Sequence, residues 1–144
     1  MDPGRFLAEI VKPTIDEYEA DPTSVRRAFL ACAATFHTVD WLAHPGKPAA
    51  LRQKFRNACP EFAIVDDIAH AFKHTKAGKS DDPRLRASEV VTRPPASWGV
   101  AVWDISRWDD AAGGVTLLTD TNVDLVHVLR RAYAFLSAEA KPNE

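Results

Sequence analysis

The stretch Asp66-Asp67-Ile68-Ala69-His70-Ala71-Phe72-Lys73-His74 holds the densest set of groups able to move a proton or bind a metal. At ~100° of helical rotation per residue, with Asp66 at zero, His70 falls at about 40°, His74 at about 80° and Asp67 at about 100°. Two carboxylates and two imidazoles therefore share one arc, while Ile64, Val65, Ile68, Ala69 and Phe72 take the opposite side. Histidines four residues apart on a helix can chelate a metal, with Asp66 or Asp67 completing the set and His37 and Asp40 adding ligands from a neighbouring helix. The plainer account is a solvated face on which each aspartate pairs with a histidine three or four positions on, for a few tenths of ~1 kcal/mol. The zinc motif with a glutamate after its first histidine is absent, because Ala71 stands there. The expected binding surface is Asp66, Asp67, His70, Lys73 and His74, with His70 and His74 as catalytic candidates and no tightly held metal or cofactor. The metal alternative uses His70, His74 and Asp67.

Other chemistries have less to build on. His37 follows Phe36 and precedes Trp41 by about a turn, which suggests a core-edge histidine hydrogen-bonded within the fold. Cys32 and Cys59 have apolar neighbours and no histidine at helical spacing, so neither a disulfide nor an activated thiolate is expected. No Gly-x-Ser-x-Gly elbow and no glycine-rich phosphate loop occur. Lys47, Arg52, Lys54, Arg56, Lys73, Lys76, Lys79, Arg84 and Arg86 make up half of the 18 Lys and Arg. They can border an anionic partner, although an ordinary solvated surface explains them as well.

Five helical segments must position these groups. Apolar residues from Phe6 to Tyr18 recur at helical spacing over about 4–19, with Pro13 expected to kink or divide the segment. Asp21-Pro22 reads as the cap of a second helix reaching about Ala43, central because it is apolar on several sides. His44-Pro45-Gly46-Lys47-Pro48 ends it, a short helix covers about 48–58, and Pro60 opens another to about Lys76. Ala77 to Pro83 reads as a loop. From Ala87 the period changes: Glu89–Thr92 and Trp98–Ile105 are rich in β-branched and aromatic residues and read as strands. Asp109 to Gly114 is a turn, Val115–Thr119 the returning strand, and Asn122 the cap of a last helix through Leu136. Alternation puts Trp98 and Trp103 on opposite faces of one strand, one packed on the helices and the other suited to self-association.

The predicted fold is α+β and predominantly α: a bundle of about four to five helices with an antiparallel hairpin or three-stranded sheet at about 87–119. Phe29, Cys32, Phe36, Phe62, Val65, Phe72, Leu129 and Phe135 form its expected core. All 144 residues fit one domain, and 46% hydrophobic with 26% charged residues is ordinary globular composition. A net charge of −2 creates no field that would gather nucleic acid from afar. Asp2 and Pro3 replace the basic start of a signal peptide, and Ala28 to Phe36 is too short to span a bilayer, so a cytoplasmic protein without membrane contact is expected.

The helices ending in Lys73-His74 and followed by a loop resemble the HEPN superfamily of small bacterial four-helix domains, and the stretch Asp67-Ile68-Ala69-His70-Ala71-Phe72-Lys73-His74 is similar to an Asp-Ile-Ala-x-Ala-x-Lys-His stretch of uncharacterised bacterial proteins. The resemblance covers about 22–76 and, more loosely, the final helix. It implies a four-helix bundle, homodimerisation and a setting in a defence or toxin–antitoxin system. Active HEPN ribonucleases carry an arginine, a polar residue and then a histidine. With His74 as that histidine, His70 takes the polar place and Ala69 stands where arginine is expected. Alanine can neither transfer a proton nor stabilise a phosphorane. The chain is therefore read as a non-catalytic HEPN-like binding or accessory domain, with RNA or a protein as partner. The alternative is an enzyme, either a divergent ribonuclease or a metal-dependent hydrolase using the His70/His74 face.

Overall fold

A computed structural model describes residues 1–141. Asp2 accepts from the Arg5 N–H at 3.0 Å and opens helix α1, Pro3–Phe6. The chain runs on through a π-helical turn, Leu7–Val11, into α2, Lys12–Glu19. Pro13 supplies the reason: it has no N–H and its ring crowds the carbonyl four residues back. Widening the turn, so that the Lys12 N–H reaches the Leu7 carbonyl, relieves the crowding without ending the helix.

Helix α3, Val25–Ala43, starts later than Asp21-Pro22 suggests. Those residues form a turn in which the Ser24 N–H bonds to the Asp21 carbonyl at 3.1 Å, and Ser24 caps the helix by accepting from the Arg27 N–H at 3.3 Å. Helices α4, Pro48–Ala58, and α5, Pro60–His74, follow with only Cys59 between them. The last helix, α6, Leu125–Glu139, is capped by Asp124 at 3.1 Å from the Val126 N–H; Asn122 lies outside it, in a turn on Asp120.

Helix α3 packs on α5, α2, α4 and α6, as its apolar breadth requires. One core runs from Phe6 to Leu136 and includes Phe29, Cys32, Phe62, Val65 and Leu129. Phe55 joins three helices by edge-to-face contacts, with ring centroids 5.8 Å from Phe62 and 5.1 Å from Phe135. Phe36 and Phe135 are half-buried at the margin. Phe72 departs from expectation: it is 51% exposed. It sits in the last turn of α5, where one ring face stacks on Phe29 at 5.0 Å and the bundle no longer covers the other.

The strands are short and form two antiparallel pairs. β1, Lys76–Gly78, pairs with β2, Pro83–Arg86, so the two strands take both ends of the segment Ala77 to Pro83 read as a loop. Its period is hidden by a bulge between Ala77 and Gly78, where Gly78 has φ 93°. β3, Val90–Arg93, pairs with β4, Gly114–Leu117, in the register Val90↔Leu117 to Arg93↔Gly114. The stretch Trp98–Ile105 is not a strand. It lies in the connection between β3 and β4 and forms turns, with Val100 and Ala101 N–H groups both bonded to the Ser97 carbonyl. Its β-branched and aromatic residues suit a pleated, half-buried surface, but no partner strand covers them. Among the described residues no helix is long and apolar enough to cross a membrane.

Replacing Phe55 by alanine should cost about 3–5 kcal/mol through lost burial and a residual cavity, whereas Phe72→Ala should cost about 1 kcal/mol. Equal shifts in urea midpoint for the two variants would contradict this packing. Glu19 and Arg130, 2.7 and 2.9 Å apart through two bonds, tie α2 to α6, and those bonds hold the Glu19 carboxyl below its ordinary range. A lowered carboxylate stabilises the fold above its unfolded value and loses that contribution as the pH falls through the folded value. Arg130→Gln should therefore narrow the stability gap between neutral and acidic pH, measured by denaturation at both; an unchanged gap would show that the pair is screened out.

Candidate functional site

Cys59 turns the chain so sharply that the polar faces of α4 and α5 meet. Arg52 and Arg56, four residues apart and hence on one side of α4, point at the aspartates of α5. Asp66 is fully buried. The Arg52 Nε donates to both its carboxylate oxygens at 2.9 and 3.0 Å, and Arg56 Nη1 donates to Oδ2. Asp67 is closed from both sides: Arg56 Nη1 donates at 3.0 Å and Arg84 Nε, from β2, at 2.9 Å. Arg56 also reaches the Ala63 carbonyl at 3.2 Å. Burial pulls the Arg56 pKa down, but the bonds to Asp67 and Asp66 outweigh it and leave the guanidinium above its ordinary value. It is a permanent cation.

The aspartates of the polar arc are therefore not solvated, while its His74 end is. Its aspartates are consumed by arginines from α4 and β2, and its helical pairing is reduced to the contact between His70 and the Asp66 carboxylate. His70 Nδ1 lies 2.9 Å from the Asp66 carboxylate and 2.9 Å from its backbone carbonyl. A carbonyl can only accept, so the Nδ1 that faces it is the donor. The ring meets Phe36 edge-on at 5.0 Å, and Arg52 lies 5.9 Å above the same phenyl.

Lys73 and His74 are exposed, and the His74 ring centroid is 6.3 Å from that of His70. Thr75 closes α5 in the left-handed region at φ 64°, a costly conformation for a β-branched residue. His37 differs from expectation. It is exposed rather than at the core edge and bonds to Asp40 at 2.7 Å across one helical turn. Among the described residues no three His, Cys, Asp or Glu side chains lie close enough to hold a metal ion. Ala69, where the HEPN resemblance expects arginine, is 7% exposed and belongs to the apolar side. Burial raises the thiol pKa of both Cys32 and Cys59, so neither is an activated nucleophile.

A second surface lies in the connection from 94 to 113. Arg93, 3% exposed, anchors its base by donating to Asp110 at 2.8 Å, while Asp110 accepts from the Gly113 N–H at 2.9 Å. Gly113 has φ 71°, and a Cβ there would stand 2.6 Å from the Arg93 carbonyl. Ser106 Oγ donates to the Pro94 carbonyl and accepts from the Val102 N–H, both at 2.9 Å. Held this way, the loop turns Trp98, Trp103 and Trp108 to solvent at 103%, 82% and 85% exposure around an open hollow of about 710 Å³. Neither Trp98 nor Trp103 packs on the helices as alternation along a strand implies. Arg93 carried no signal in the sequence beyond the Gly-Gly pair that makes room for it.

Asp66→Ala leaves two guanidiniums facing a dry void and should destabilise by about 3 kcal/mol, the low end for a broken buried pair because Arg52 keeps access to water. Asp67→Ala should cost less, and equal urea midpoints for the two variants would show the cluster to be uncoupled from folding. No family model, curated protein or solved structure matches the chain.

Proposed function

We propose that the chain is a non-catalytic, HEPN-like binding or accessory domain that works by contact with another protein surface. One observation carries this reading: the carboxylates on the polar arc of α5 are already closed by arginines of the same chain. A general base or a metal ligand needs a lone pair free to reach a substrate or an ion. Asp66 and Asp67 have theirs committed, and His70 uses Nδ1 internally. Arg56, which could stand in for the arginine missing at Ala69, is held by Asp66, Asp67 and the Ala63 carbonyl. The cluster braces α4, α5 and β2, and its outer rim of Lys73, His74 and the edge of His70 is left for a partner. A cytoplasmic, dimeric protein of a defence or toxin–antitoxin system agrees with this reading.

The test sets purified protein against single-stranded RNA and, separately, measures bound metal after dialysis. No cleavage above background and no stoichiometric zinc, nickel or iron are expected. RNA cleavage that disappears in a folded His74→Ala variant would establish the ribonuclease alternative. Metal that survives dialysis and is lost on His70→Ala would establish the hydrolase.

A further inference from the structure

We infer that the tryptophan loop, residues 94–113, is the surface through which the chain pairs with a second copy of itself, the two loops meeting about a two-fold axis. This rests on the contact reading above and goes beyond it, adding to the α5 rim a second surface and its occupant. Three tryptophans stand 82–103% exposed within eleven residues, accompanied by Val100 and Val102 at 51% and 44%. At roughly 150–250 Å² of coverable surface per aromatic, the tryptophans alone offer on the order of 600 Å². That equals the largest apolar patch of a typical monomer, roughly 300–600 Å². With the valines added it approaches the ~800 Å² per partner of a stable interface.

The patch is also self-complementary in charge. Arg107 and Asp104 line the same hollow as the tryptophans, and the Arg107 guanidinium, 45% exposed, lies 3.9 Å from Asp109. In a two-fold pairing each surface element meets its own counterpart region, so a patch carrying both signs can set the arginine of one copy against the carboxylates of the other. A partner of a single charge would leave one sign unanswered. Trp103 and Trp108 already contact edge to face at 6.0 Å, leaving the hollow beside them open to an incoming indole. The loop is anchored before any partner arrives, through Arg93 to Asp110 and through Ser106. Pairing therefore carries little ordering cost.

Sedimentation of the full chain across a concentration series provides the test, with tryptophan fluorescence alongside, since three of the four tryptophans lie in the loop. A concentration-dependent dimer is expected, with emission shifting to the blue as it forms. Trp103→Ala and Trp108→Ala should each raise the dissociation constant by about 30-fold or more, as central aromatic anchors do. Arg107→Glu should weaken pairing as well. Because these side chains are exposed, the variants should keep the thermal midpoint of the monomer, which separates lost pairing from lost folding. A chain that stays monomeric at its highest soluble concentration overturns the inference, as does a dimer indifferent to all three substitutions. A monomer whose loop variants lose a cationic peptide or another protein overturns self-pairing while leaving the contact reading standing. RNA cleavage would defeat that reading without touching the oligomeric state.

Discussion

Asp66 is the point on which the helical half of the molecule turns. A carboxylate with no exposure survives only if its lone pairs are occupied, and here the occupants come from α4 and from its own helix. That requirement sets the rotation of α4 about its axis, since Arg52 and Arg56 reach Asp66 only when Leu51 and Phe55 face the interior. It also sets the position of β2, because Arg84 must close Asp67 once Arg56 is shared between the two aspartates. The polar cluster and the Phe55 aromatic node lie on adjoining sides of the same short helix. One makes the packing specific and the other supplies its burial energy.

Much of the helical architecture was legible because it depends on local periodicity. Phe62, Val65 and Ile68 recur on one side of α5, Pro48 and Pro60 mark two helix starts, and Leu125, Val128, Leu129, Ala132 and Leu136 define the inner face of α6. The errors arise where a nonlocal partner decides. Asp66 and Asp67 share an arc, as the wheel requires, but helical periodicity is silent about what faces the arc. The answer lay in the four-residue spacing of Arg52 and Arg56 across a one-residue link. Trp98 to Ile105 has strand composition but lacks a partner, because β3 pairs with β4 on the far side of the connection. Phe72 occupies the apolar sector of its helix but lies where the covering layer ends.

The two surfaces that result are chemically unlike. On the α5 side, charge is neutralised inward and little apolar area is offered. On the loop side, apolar area is large, Asp104, Arg107 and Asp109 keep their charges at the surface, and a buried arginine holds the backbone still. Such a division suits a domain with one braced polar flank and one adhesive flank. The distance between these roles along the sequence lets the loop vary without disturbing the ion cluster, since its anchors Arg93, Asp110 and Ser106 contact none of Asp66, Asp67, Arg52 or Arg56.

The π turn at Leu7–Val11 carries a consequence for the phase of the first helix. A π turn is one residue more than an α-helix needs at that place, and one residue corresponds to about 100° of rotation. Val11, Ile15 and Tyr18 on its C-terminal side and Phe6 and Leu7 on its N-terminal side are all buried, so both stretches face the same interior. The inserted residue is what brings them into phase around Pro13. Shortened by one residue there, the helix would turn Phe6 away from the ring of Trp41, on which it now stacks at 5.1 Å, and the chain start would lose its only aromatic hold on α3 among the described residues.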